Sequence, residues 1–290
     1  MKKIIIILIL VVLSVAGYFT VTNYYHSPSV YPFKSKFYTW AGDTRVIESD
    51  ENCMSEEQLE FLRKHIKPGD ILINRSNYYV SNIGIPGFWT HAGFYVGTEQ
   101  ERKCYLNSDK GSRNWVNSMG EYAGDINQLL KDQISEKYLL KMDSDSNYSV
   151  IESVSEGVVL STFEHGAGKD GIAVLRPLLP KKEMTKAILK AYSYLDTNYD
   201  FNFDFSNDST LACTELVYLV YGDSKLFPVN ELFGKPFSTA NEIAEYYDNI
   251  YGTDSLRLQC IFFYDGEKAY GPGNKTGHEQ FRKSWTVTKF

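Results

Sequence analysis

Cysteine is scarce in this chain: there are four residues among 290, and no two of them are close in sequence. Four thiols in a chain of this length are too few for a disulfide scaffold, and the absence of a CxxC pair argues against a zinc ribbon. One bridge among Cys53, Cys104 and Cys260 is compatible with an exported protein. The five histidines are equally scattered, with no HExxH motif. We therefore expect no bound metal and no cofactor.

The chain also lacks any block of basic residues. Its 30 Lys and Arg are outnumbered by 36 Asp and Glu, which gives a net charge of −6. Proteins that bind nucleic acid concentrate positive charge on one surface, so we exclude nucleic acid as the partner. The charge gives no support for anionic lipid as the main partner either. Aromatic residues, in contrast, are abundant, with 22 Tyr and 17 Phe.

The only long apolar run lies at the N-terminus. A short basic start precedes an unbroken apolar stretch from Ile4 to Leu13, and small residues follow where a signal peptidase cleaves. Continued to Val21, the run reaches the lower limit of a transmembrane span. Residues 1–22 are therefore interpreted as a signal peptide or as an N-terminal membrane anchor. Both interpretations place the remainder outside the cytoplasm, secreted or anchored.

The rest of the chain is predicted to contain one large domain. Residues 23–54 form a linker and N-terminal extension, 55–270 the domain and 271–290 a C-terminal tail. Within the domain, residues 98–147 are rich in Ser, Asn, Asp and Lys. We expect them to be a surface insertion with one weak helical patch at 126–130.

The hydrophobic periodicity predicts the class of the domain. Residues 55–58 carry a capping-box pattern, and residues 181–195 have helical spacing. Alternating strands at 148–154 and 157–161 are expected to pair across a tight turn. Because helices and strands are mixed without a regular βαβ repeat, the sequence predicts an α+β fold rather than a parallel α/β one.

Cys213 is the first residue that suggests chemistry. It stands in the stretch STLACTELVY, just ahead of a run with helical character. If Ser209 or Thr210 caps this helix, Cys213 lies in its first turn, where unpaired N–H groups and the helix dipole stabilise a thiolate. A packed, inert thiol is the alternative interpretation.

His91 and Glu152 are the polar residues that complete a candidate site. His91 opens a strand after Trp89-Thr90, where an imidazole can accept and return a thiol proton. Glu152 lies between Val150 and Val154 on one side of a strand, so it needs a partner if that side is buried. A histidine on the neighbouring strand would satisfy Glu152, and Glu152 would fix its tautomer. Taken singly, each has a structural explanation as well.

The motifs that contain these residues resemble a known family. They are KPGDILINRS, THAGFYVG, VIESVSEGVVLSTF and YDFNFDFSNDSTLACTELVYLVYG, and the likeness runs from about Lys67 to Gly266. They are similar to the permuted NlpC/P60 papain-like superfamily, specifically its YaeF/YiiX group of amidases. The resemblance implies an antiparallel β half-barrel packed on a helix that carries the nucleophile.

The same resemblance assigns roles to residues. The order His, acid, Cys in the chain implies that Cys213 is the nucleophile, His91 the base and Glu152 the group that orients it. His165, in a segment expected to be a loop, is a weaker alternative to Glu152. Glu215 is expected to bind neighbouring backbone or a substrate amine rather than to catalyse.

The function expected from this resemblance is that of an exported or anchored thiol amidase or peptidase. Its substrate would be a small peptide, an acylated amine or a cell-wall component. Two alternatives remain open. One is a lipid acyltransferase or thioesterase, with the apolar loop Ile83–Trp89 contacting an acyl chain. The other is an inactive binding module.

Overall fold

A seven-stranded antiparallel sheet forms the centre of the molecule in a computed structural model, which describes residues 27–46, 54–85, 87–142, 147–232 and 235–287. In chain order the strands are β1 (Ile71–Arg75), β2 (His91–Tyr95), β3 (Tyr148–Val154), β4 (Gly157–Thr162), β5 (Gly171–Pro177), β6 (Asn198–Tyr199), β7 (Thr210–Leu211), β8 (Asn230–Leu232), β9 (Lys235–Phe237), β10 (Leu258–Tyr264) and β11 (Ala269–Tyr270). Strands β6 and β7 form a small separate pair, and so do β8 and β9. The order across the large sheet is β11-β10-β5-β1-β2-β3-β4.

Helices cover both faces of this sheet. In chain order they are α1 (Tyr31–Asp43), α2 (Glu56–His65), α3 (Ser81–Gly84), α4 (Glu99–Tyr105), α5 (Lys110–Met119), α6 (Ile126–Gln133), α7 (Glu136–Met142), α8 (Phe163–Ala167), α9 (Lys181–Ser193), α10 (Cys213–Val220), α11 (Ala240–Asn249) and α12 (Lys275–Ser284), with a short 3-10 turn at Gly222–Ser224.

The sheet is buried on both sides because a hydrophobic core packs against each of its faces. Ile71 and Ile73 of β1 face a large core with α9, α10 and α11, whereas Leu72 faces a smaller one with α2 and α8. Such burial on two faces explains why β1 reads as a continuous apolar run rather than an alternating one. It also fixes the strands, and therefore the residues at their ends, in one register.

The α+β prediction is confirmed by this mixture of helices with a large antiparallel sheet. The hairpin of β3 and β4 is present, with Val154 opposite Gly157. Gly157 has φ +105°, and a Cβ there would collide with the Thr197 carbonyl, so the turn requires glycine. The capping box at Ser55 and Gln58 is also present.

Two segments are more ordered than the sequence indicated. Residues 98–147 were expected to be a polar surface insertion, but α4 to α7 lie there, and their apolar residues join the larger core. The C-terminal tail likewise contains α12, whose Phe281 is fully buried. In both segments the apolar residues are few and widely spaced, so a helix with one buried face is difficult to recognise from the sequence.

The N-terminal part bears on the membrane prediction. Residues 1–22 lie outside the described residues, whereas the extension at 23–54 contains α1. Within the described ranges, no helix has both the length and the apolarity that crossing a membrane demands. Cys104 and Cys260 are free thiols, so neither pairs with the other, and Cys53 also lies outside the described residues.

Candidate active site

Cys213 is the first residue of α10, a helix that packs against β2 and β3. The predicted cap by Ser209 or Thr210 is wrong, because the helix begins later, after the short strand β7. Ala212 occupies the N-cap position and has no side-chain oxygen to offer. The Glu215 carboxyl accepts a hydrogen bond from the Ala212 N–H at 3.0 Å instead. Cys213 nevertheless sits in the first turn, where the helix dipole favours an anion.

His91 and Glu152 meet across neighbouring strands. Gly93 of β2 lies opposite Glu152 of β3, and His91 is two residues from Gly93, so its side chain leaves the same face of the sheet. Gly93 has no side chain to separate the two. His91 Nε2 therefore reaches Glu152 Oε2 at 2.9 Å. The geometry leaves Nδ1 of the imidazole for a second partner.

The thiol of Cys213 is close enough to the His91 ring for each of the two groups to shift the pKa of the other. Burial alone would raise the pKa of Cys213, but the His91 charge and hydrogen bond, with backbone hydrogen bonds at Ala92 and Thr214, lower it below its usual value. Burial alone would lower the pKa of His91, but the charge of Cys213 and hydrogen bonds to Cys213 and Glu152 raise it to about 9. Both shifts favour a thiolate–imidazolium pair over the neutral thiol and imidazole.

Glu152 is nearly inaccessible, with 1% of its surface exposed. Burial alone would raise its pKa, yet the hydrogen bond and charge of His91, together with the charge of Lys169, lower it to about 2. A carboxylate buried in this way is stable because the imidazolium compensates its lost hydration. Glu152 thus stays ionised in the pH range in which His91 titrates.

His165, the weaker alternative to Glu152, has a different position from the one expected. It lies in α8 rather than in a loop, and its Nε2 is 3.6 Å from Oε1 of Glu152, the oxygen that His91 does not use. The side chain is 62% exposed. His165 therefore approaches the outer side of Glu152 and does not replace it beside His91.

Glu215 is buried and serves the backbone. Burial raises its pKa to about 9 despite the hydrogen bond from the Ala212 N–H, and the carboxylates of Asp200 and Asp204 add to the rise. A neutral carboxyl at pH 7 can still cap the helix through its oxygen. The expectation that Glu215 binds neighbouring backbone is met by this contact.

Two groups beside the thiol were not identified from the sequence. The backbone of Ala92 helps to lower the pKa of Cys213, which no residue pattern could reveal because any side chain could stand there. Tyr199 lies within electrostatic reach: burial and then the charge of Cys213 raise its pKa well above the usual value. The pairing of β6 with β7 brings Tyr199 next to Leu211, two residues before the cysteine. The sequence feature that could have identified Tyr199 is the aromatic segment that precedes Cys213.

The apolar loop beside His91 ends in the core. Trp89 is fully buried and donates its Nε1–H to Ser284 at 2.8 Å, and Phe88 is 5% exposed. At the other end of the loop, Ile83 is 72% exposed. The loop residues nearest to His91 are therefore not available to an acyl chain. In the part of the chain that the structure describes, no group of three or more His, Cys, Asp or Glu side chains is placed to hold a metal ion.

Comparison with known proteins identifies the family. No curated protein matches the chain. A solved structure, described as the metalloprotein yiiX from Escherichia coli O157:H7, is similar at 15% identity with a TM-score of 0.41, over 68% of this chain and 97% of that one. Residues 65–260 match the model of the permuted papain-like amidase enzymes, YaeF/YiiX, C92 family. Since that match spans most of the chain, the protein belongs to this family of permuted papain-like amidases.

Proposed function

We propose that the chain is a thiol amidase or peptidase in which Cys213, His91 and Glu152 form a catalytic triad. The observation that carries the proposal is the His91 ring, which contacts the buried Glu152 carboxylate at 2.9 Å and lowers the pKa of the Cys213 thiol. In the proposed fold, the seven-stranded sheet is the half-barrel of the family and α10 is its catalytic helix.

The proposed reaction has two steps. Cys213 Sγ attacks the amide carbonyl carbon, and the developing oxyanion accepts a hydrogen bond from the Cys213 N–H at the start of α10. The C–N bond then breaks, and His91 gives its proton to the leaving amine. In the second step His91 removes a proton from water, which attacks the thioester and releases the carboxylic acid and the thiol. Glu152 holds the ring and stabilises its charge in both steps.

The proposed substrate is an amide in a small peptide, an acylated amino acid or a cell-wall component, encountered outside the cytoplasm. This part of the proposal relies on the family and on the N-terminal sequence. The acyltransferase or thioesterase alternative loses one support, because Trp89 and Phe88 are buried in the core.

The test offers purified full-length protein N-acyl amino acids, cell-wall peptides and phospholipid vesicles side by side. We expect hydrolysis of an amide, and a decrease of at least about 10³-fold in the Cys213→Ala variant. Turnover of the phospholipids alone would assign the chain to the acyl-lipid alternative. Amide hydrolysis that persists in Cys213→Ala would exclude this cysteine as the nucleophile, and a wild type that turns over none of them is the outcome expected for a binding module.

A further inference from the structure

Helix α1 presents aromatic side chains on the side that points away from the protein. Phe33, Phe37 and Trp40 are 83%, 56% and 54% exposed. Their spacing of four and three residues puts them on one side of the helix, and the rings of Phe37 and Trp40 are 5.9 Å apart. We call these three residues the outer aromatic face. Scattered exposed apolar residues are normal, but three neighbouring aromatic rings indicate an interaction surface.

The opposite face of α1 is attached to the body of the protein. Tyr31 donates a hydrogen bond from its hydroxyl to the Tyr199 carbonyl at 3.3 Å, and the Lys34 ammonium donates to Asn202 Oδ1 at 2.6 Å. Tyr38 stacks on Phe201 with ring centres 6.3 Å apart. Since these contacts hold the inner side, the outer aromatic face cannot be buried by a simple rotation of the helix.

The sequence before α1 indicates what covers this face. The apolar run ends at Val21, and only nine residues separate it from Tyr31. Nine extended residues span at most about 30 Å, so an anchor formed by the run would keep α1 close to the bilayer surface. Phe and Trp side chains are favoured at the boundary between acyl chains and headgroups.

We propose that α1 is an interfacial helix whose outer aromatic face lies in the headgroup boundary of a lipid bilayer. The proposal rests on the expectation that the N-terminal run is an anchor, and it is independent of the proposed enzymatic activity. The segment that holds α1 includes Tyr199, whose strand pairs with the one leading to Cys213. When α1 lies in the headgroup boundary, the candidate site is next to the bilayer.

Tryptophan fluorescence tests this directly. Full-length protein is reconstituted into phosphatidylcholine vesicles whose acyl chains carry bromine close to the headgroups. Bromine quenches only indoles in contact with lipid, and Trp89 is fully buried. We expect a quenched fraction of emission in the wild type that is lost in Trp40→Phe and retained in Trp115→Phe. Equal quenching of wild type and Trp40→Phe would overturn the proposal, as would no quenching in either.

A second pair of variants separates lipid contact from a local change at Trp40. Phe33→Ser combined with Phe37→Ser should reduce the quenching of Trp40, because the helix loses apolar surface at the boundary. The matched control combines Leu140→Ser with Leu178→Ser, two other exposed apolar residues, 73% and 49% accessible. Quenching that survives the first pair, or falls equally in both, contradicts the proposal. A second copy or a protein partner on this face would shield Trp40 from bromine in the wild type.

Discussion

Glu152 determines the charge state of the candidate site. Its carboxylate is buried, has a pKa of about 2 and lies 2.9 Å from His91 Nε2. A fixed negative charge at this distance makes the imidazolium easier to form and leaves Nδ1 to serve the thiol. As the pH rises, the ion pair is therefore lost when His91 releases its proton.

The first prediction concerns Glu152→Gln. The ion pair exists above the pKa of Cys213 and below that of His91, about 9, so wild-type activity should fall as the pH rises through about 9. Removing the carboxylate lowers the pKa of His91 and should move the alkaline limb of kcat/KM down by about one unit or more. His165→Gln is the matched control, since that ring approaches Glu152 from outside. An alkaline limb of kcat/KM that lies at the same pH in Glu152→Gln as in the wild type would contradict the role assigned to Glu152.

The sequence allowed the site residues to be predicted where local patterns of helices and strands apply. Cys213 at a helix start and Glu152 between two valines each violate an ordinary pattern, and such violations indicate a special environment. The effect of the Ala92 backbone on Cys213 and the approach of His165 to Glu152 could not be predicted, because they depend on how distant segments pack. The roles of the three residues stay predictions until they are measured.

At the scale of elements, the start of α10 is what holds the thiol in place. The N-cap residue Ala212 has no side-chain acceptor, and the Glu215 carboxyl accepts a hydrogen bond from the Ala212 N–H. The sequence suggested Ser209 or Thr210 for this position because they are good caps. Tertiary structure overrides that preference, since Thr210 is recruited into strand β7.

The second prediction compares two substitutions of Glu215. Glu215→Gln keeps a side-chain oxygen for the cap and, because the carboxyl is neutral near pH 7, should leave both stability and activity nearly unchanged. Glu215→Ala removes the acceptor and should reduce the free energy of unfolding by about 1 kcal/mol or more. Chemical denaturation measures the difference. A catalytic carboxylate at this position would instead make both variants inactive.

At the scale of the whole molecule, the core extends beyond the segments that the sequence indicated. Helices α4 to α7 and α12 contribute residues to the larger core, including Val116, Leu129 and Phe281. The sequence indicated only the helical patch at 126–130, which lies in α6 (Ile126–Gln133). The other helices were missed because polar composition dominates these segments and only a narrow stripe is apolar. The central strands were easier to predict, since they are apolar at almost every position.

The third prediction tests whether α12 belongs to the folded core. Phe281→Ala empties a fully buried position between Trp89, Tyr247 and Phe263. We expect the free energy of unfolding to fall by about 3–5 kcal/mol. Leu140→Ala, at an exposed position of α7, should change it by less than about 0.5 kcal/mol. Equal, small effects of both in chemical denaturation would mean that the C-terminal segment is a detachable tail.

The central claim, that His91 and Glu152 make Cys213 a reactive thiolate, is tested most directly by alkylation. Iodoacetamide is added to the full-length protein at several pH values, and mass spectrometry follows each cysteine. Cys104 is an exposed reference thiol, and burial raises the pKa of Cys260 to about 12. We predict that Cys213 reacts faster than Cys104 at pH 7 and that His91→Gln abolishes this advantage. A Cys213 that reacts no faster than Cys104, or equally fast without His91, would contradict the account.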